Sequence, residues 1–120
     1  MHRPLPGIVV LDFSRVLAGP FCSALLADMG AEVIKVEPPQ GDDQRWMGAF
    51  KDGVNLSFEL INRSKRSIRL DLKTEKGRQI ALALAERADV VIENFRPGVA
   101  ERLGIGYELL RERRPDIVYC

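Results

Sequence analysis

Ile8-Val9-Val10-Leu11-Asp12 and Ala31-Glu32-Val33-Ile34-Lys35-Val36-Glu37, separated by Phe13 to Gly30, are the stretches whose reading decides the fold. The first is a nearly continuous apolar run, the pattern of a strand buried on both faces. The second reads as the next strand. Between them a polar link, Phe13 to Pro20, leads into a helix expected from about Pro20 to Met29. Pro20 suits a first helical turn, where its missing N–H costs nothing. Phe21, Ala24, Leu25 and Asp28-Met29 supply an apolar stripe with one polar edge, and Gly30 stops the helix. A β-loop-α-β unit of this size belongs to a parallel sheet.

The pattern repeats downstream. Pro38-Pro39-Gln40-Gly41-Asp42-Asp43 closes the unit with turn formers. A long excursion of weak periodicity follows through Trp46, Phe50 and Asn55, with Trp46 read as covering it by packing, and Phe58 to Asn62 forms a short helix or a turn. Ser67 to Leu72 alternates as a half-buried strand with Ile68, Leu70 and Leu72 inward. Thr74 is placed to cap a helix that has Glu75 in its first turn, is slightly weakened by Gly77, and runs on through Ala85. Ala88 to Glu93 is another buried strand, Asn94 to Gly98 a loop, and Val99 to Leu103 a short helix. Tyr107 to Arg113 is helical before a last β-rich run in Pro115 to Cys120. Strand and helix alternate throughout, which defines an α/β fold, a parallel sheet with flanking helices. Because the sequence stops inside a strand, it is expected to be the first part of a longer polypeptide.

The totals narrow the function. A chain of 120 residues, 46% apolar and 29% charged, builds one modest core. A net charge of +1 argues against a general nucleic-acid binder, and no run reaches membrane-span length. The amino terminus lacks the apolar core of a secretion signal, so a cytoplasmic protein is expected. Cys22 and Cys120 make neither a disulfide framework nor a metal cage, and His2 is the only histidine. No metal is expected.

Chemistry in such sheets sits beyond the carboxyl ends of strands, which here means Ser14 to Pro20, Glu37 to Asp43 and Asn94 to Gly98. The first of these puts small residues ahead of a helix start, where backbone N–H groups suit a phosphate or carbonyl oxygen. There is no Gly-x-Gly-x-x-Gly after the first strand, so Glu37 is a weak candidate for a ribose-binding acid. Asp12 stands well at a strand end but has no evident partner, and Cys22 is read as a small hydrophobe buried on the first helix. Asn62 to Lys73 concentrates five basic residues and one acid in twelve positions. Arginine forks and lysine point charges suit clustered phosphates on a small molecule.

Four blocks carry a resemblance. They are Val10 to Pro20, Gly30 to Glu37, Asn62 to Lys73, and Ala88 to Gly98, in the order and spacing of family III CoA-transferases, the formyl-CoA transferase or CaiB/BaiF type. The chain resembles the amino-terminal portion of that family from about Leu5 to Cys120. The resemblance implies that residues 1–120 form part of a large Rossmann-like CoA-binding domain, and that the full-length protein is an interlocked homodimer. It implies an enzyme that moves CoA between a CoA thioester and a carboxylic acid acceptor through an acylated aspartate. That aspartate lies beyond Cys120, so no catalytic residue falls within this chain. The implied cofactor-binding residues begin with Val16 and Ala18, beside the thioester. Leu70 and Lys73 lie near the adenosine and phosphates, Asn94 and Phe95 beside the same cofactor, and Arg102 at a phosphate.

Two departures bear on specificity. Leu17 stands where many formyl-CoA transferases have glutamine, and it cannot make that side chain's hydrogen bond. A different dicarboxylate or a carnitine-like acid is therefore open as acceptor. Pro38 replaces a basic residue of some relatives, which shifts weight onto Lys35 or the Asn62–Lys73 cluster. The alternatives are an α-methylacyl-CoA racemase, which shares the fold and the Arg-Pro-Gly loop, and a fragment that only binds CoA or serves structure.

Overall fold

Val10 and Leu11 are neighbours in the chain yet pack into different cores on opposite faces of one sheet, as a strand period of two requires. The computed structural model describes residues 2–120. Strand β1 (Val9–Asp12) leads into helix α1 (Ala18–Asp28) and returns as β2 (Glu32–Glu37), parallel to β1 with Val10 opposite Val33. A 3-10 turn (Asp43–Trp46), a hairpin of β3 (Phe50–Lys51) and β4 (Val54–Asn55), and α2 (Leu56–Ile61) make up the excursion. The chain continues through β5 (Lys65–Arg69), α3 (Glu75–Ala85), β6 (Val90–Ile92), α4 (Val99–Arg102), α5 (Tyr107–Arg113) and β7 (Val118–Tyr119). Five strands pair in parallel in the order β5-β2-β1-β6-β7. The chain thus winds outward from β1 in both directions, the doubly wound arrangement expected of a Rossmann-like sheet.

Each face has its own core. Leu11, Phe13, Val36 and Val91 meet Ala81 and Ala85 of α3 and Leu110 of α5 on one side. Val10, Val33 and Ile92 meet Ala27 and Ala31 on the other. Burial on both faces explains why β1 reads as an unbroken apolar run.

Helix α1 departs from expectation. Its buried residues are Gly19, Pro20, Ser23, Ala24 and Ala27, whereas Phe21 is 48% and Leu25 44% exposed. The larger apolar residues therefore face outward, and Cys22 is exposed rather than buried. Small residues face inward because little space separates the helix from the loop after β1 and from β6: a Cβ on Gly19 would come within 2.2 Å of the Ser14 side chain and 3.6 Å of Ile92. Trp46, expected to pack, is 69% exposed.

Strand β5 begins two residues earlier than the alternating pattern suggests, although Leu70 still continues the ladder by donating to the Glu37 carbonyl at 2.9 Å. Ile68, Leu70 and Leu72 join the inner core as expected. The β3–β4 hairpin turns at Asp52-Gly53, where both residues have positive φ. An Asp-Gly pair favours that turn, so the hairpin had a readable signal.

Gly77 is more than a weak helix position. The Thr74 hydroxyl accepts its N–H at 3.0 Å as the helix cap, and a Cβ there would lie 1.9 Å from the Asp71 carbonyl oxygen. Gly77→Ala is therefore expected to destabilise the domain by at least about 1–3 kcal/mol, despite alanine's higher helix propensity. Urea denaturation measures this, and a neutral or stabilising change would contradict the contact.

Candidate functional site

The carboxyl ends of β1, β2, β5 and β6 open onto a pocket of about 380 Å³. Its apolar wall is Phe13, Val36, Leu70, Leu72 and Phe95, closed on one side by Val99 and Leu103 from α4 and the residue after it. Its polar rim carries Arg15, Glu37, Gln40, Asp71 and Lys73. The pocket spans the point where the chain leaves β1 for β2 on one side and β6 adjoins on the other, the usual ligand position in such sheets.

The residues singled out in the sequence divide into those on this pocket and those beside it. Leu70, Lys73 and Phe95 line it. Asn94 does not; its amide clasps the main chain of Arg15, accepting from the N–H at 2.9 Å and donating to the carbonyl at 2.8 Å. The loops after β1 and β6 are thereby joined. Val16 lies on the first of these loops with φ +66°, and Ala18 begins α1. Arg102 ends α4 with its guanidinium beside Gly98, where a Cβ would stand 3.3 Å from Nη1. Arg15 falls within the Ser14 to Pro20 loop picked out in the sequence but was not named individually, and Phe13 was not singled out, because the side chains that meet at a pocket are not a local property.

The basic cluster does not form one anion surface. Arg63 pairs with Asp28, and Arg66 with Glu32 at 2.7 Å. Arg69 donates to the Pro39 carbonyl at 3.3 Å. Lys65 is buried, bonded to the Pro20 carbonyl at 2.7 Å and to Asp12 at 3.3 Å. Among the described residues, only the Lys73 ammonium of the five is without a hydrogen bond or ion pair, and it faces the pocket. Lys35 is equally unavailable: only 1% exposed, it meets Asp42 at 2.7 Å and the Ser14 carbonyl at 3.0 Å.

These ties form a buried polar layer under the pocket. Asp12 accepts from the Ser14 N–H at 2.9 Å and from the hydroxyls of Ser14 and Ser23, so its role is structural. Asp42 accepts from the Val16 N–H at 3.1 Å and, at 2.9 Å, from Gln44 N–H as the cap of the 3-10 turn. Glu37 receives two bonds of 2.7 Å from Arg45, one of 2.7 Å from Ser67 and one of 2.8 Å from the Asp42 N–H. Burial opposes its ionisation, but these donors outweigh it and hold the carboxyl at about 2. Burial lowers Lys65 to about 8 against the pull of Asp12. Partial burial, together with Cys120 and Asp12, raises the Cys22 thiol, the wrong direction for a nucleophile.

Among the described residues no group of three or more His, Cys, Asp or Glu gathers to hold a metal, and no helix is long and apolar enough to cross a membrane.

A doubly wound parallel sheet with an apolar-walled pocket at its switch point, rimmed by charges of both signs, defines a Rossmann-like α/β fold. The family is then settled by comparison: residues 5–120 match CoA-transferase family III, and the chain belongs to it. It is 51% identical over 120 residues to a succinyl-CoA:mesaconate CoA-transferase of Haloarcula hispanica, covering 96% of this chain and 30% of that protein. It is 47% identical over 120 residues to the human succinyl-CoA:glutarate CoA-transferase, covering 98% and 27%. A crystal structure of a CaiB/BaiF family protein from Brucella suis superposes with a TM-score of 0.93 at 43% identity, over 100% of this chain and 33% of that one. The chain thus spans about three tenths of the length of these relatives.

Two outcomes follow from the polar layer. Glu37 is ordinarily protonated near 4.5, so the stability it contributes is present above that pH and is lost as the pH falls toward about 2. Urea unfolding is expected to show Glu37→Gln about 3 kcal/mol less stable at pH 7, converging on the wild type near pH 2. Asp42→Ala leaves Lys35 buried and unpaired, and should cost roughly 3–5 kcal/mol at pH 7. A loss below about 1 kcal/mol would mean that water reaches Lys35 freely.

Proposed function

We propose that the full-length polypeptide carrying this chain is a CoA-transferase, and that residues 1–120 supply the pocket for the nucleotide end of its CoA thioester. The observation that carries this reading is the pocket at the carboxyl ends of the strands, where Leu70, Lys73 and Phe95 converge. Its apolar wall suits a purine and its unpaired Lys73 ammonium a phosphate. Asn94 shapes the site by clasping Arg15, and we assign a further phosphate to Arg102, which ends α4 beside Gly98. We assign Val16, on the loop after β1, and Ala18, the first residue of α1, to the thioester end.

In the mechanism proposed, an aspartate outside this chain attacks the thioester carbonyl and expels CoA as its thiolate, and the thiolate then attacks the aspartyl carbonyl of the resulting anhydride, releasing the donor acid and leaving an aspartyl-CoA thioester. The acceptor carboxylate displaces CoA from that thioester, and the thiolate attacks the acceptor carbonyl of the second anhydride, which forms the new CoA thioester and restores the aspartate. A dicarboxylate is the acceptor class we favour. Leu17, 60% exposed at the head of α1, offers no hydrogen bond to a small oxygen-rich acid. The named activities of the relatives from Haloarcula hispanica and human, with mesaconate and glutarate, run in the same direction. The outward apolar face of α1 supports burial against further polypeptide, consistent with an interlocked dimer at full length.

An acceptor screen with succinyl-CoA and dicarboxylates tests the reading. The full-length protein is expected to form new CoA thioesters, and residues 1–120 alone to give negligible turnover. Exchange of the α-hydrogen with deuterated solvent, without transfer, would instead identify a racemase. Lys73→Ala in the full-length protein should weaken CoA binding by about 1.5–3 kcal/mol, measured calorimetrically. Unchanged affinity would leave Lys73 as a solvated surface charge.

A further inference from the structure

We propose that Arg15 is a phosphate-binding residue of this pocket, an inference that rests on the CoA reading above and adds a residue on the loop after β1 to it. Arg15 lines the pocket, and among the described residues its guanidinium makes no hydrogen bond or ion pair. Its Cζ lies over the Phe95 ring, 5.5 Å from the centroid. A contact with the face of a ring takes up no hydrogen bond, so the five N–H donors of the guanidinium are free to meet an anion.

Two further observations favour a ligand over an idle surface charge. The Arg15 backbone is fixed at both its N–H and its carbonyl by Asn94, so the side chain starts from a fixed point on the rim. Of the acids on the same rim, Glu37 is engaged by Arg45, Ser67 and the Asp42 N–H, and Asp71 accepts the Lys73 N–H at 3.0 Å and, among the described residues, pairs with no cation. Among the described residues no carboxylate lies within ion-pair distance of the Arg15 fork. A fork and the Lys73 point charge on the rim of one apolar pocket match a nucleotide whose base lies on the wall and whose phosphates lie at the mouth.

The clasp to Asn94 uses only main-chain atoms of residue 15, so substitutions there isolate the guanidinium. In the full-length protein, Arg15→Gln is expected to raise the Kd for CoA and the KM for acyl-CoA about tenfold or more, with kcat changed by less than about threefold and the melting temperature unaltered. Arg15→Lys should recover part of the loss, since it keeps the charge and gives up the fork. Equal Kd for CoA in the wild type and Arg15→Gln would overturn the inference while leaving the CoA reading standing. A wild-type protein that neither binds CoA nor turns over would overturn that reading, and this inference with it.

Discussion

Charge buried beneath the carboxyl ends of β1 and β2 is the constraint on which the rest of this structure depends. Asp12, Lys35, Glu37, Asp42 and the Lys65 ammonium are all withdrawn from water. A buried charge is tolerated only when paired and hydrogen-bonded. Each pairing reaches across the chain: Lys35 on β2 joins the β1 loop at Ser14 to the excursion at Asp42, and Lys65 on β5 returns to Asp12 and to Pro20 in α1. Meeting the needs of five groups thus fixes the loops after β1 and β2 at once.

That arrangement explains how Val16 holds a positive φ, which is unfavourable for a β-branched residue. The Asp42 carboxylate accepts its N–H and is itself held by Lys35 and by the Glu37 bond to its own N–H. Surrounding bonds over-determine the strained residue, the condition under which such strain persists. The polar layer and the apolar wall have separate duties. The first sets where the loops stand, and the second gives the pocket its shape.

What could be read in advance follows the range of each interaction. The doubly buried strands, the Thr74 cap and the α/β order rest on period and capping, which are local, and they were legible. The direction of α1 was not, because the helix has two faces that could be buried. Close approach to the sheet selected Gly19, Ser23, Ala24 and Ala27 over Phe21 and Leu25. The basic run misled for a related reason. Arg63, Lys65 and Arg66 find their acids 35, 53 and 34 residues away, and a linear reading counts the cations without their partners. Of the candidate site, Leu70, Lys73 and Phe95 converge, whereas Arg15 takes its meaning from the placement of β6 beside β1.

The Asn94 clasp separates two tasks that proteins often load onto one residue. At position 15 the main chain holds two loops together, and the side chain is left out of that work. A replacement there keeps the frame and alters only what faces the pocket. Position 94 has no such freedom, because its side chain is the clasp. The two partners in one clasp thus tolerate change differently: a substitution at residue 15 leaves the clasp intact, and one at residue 94 removes it.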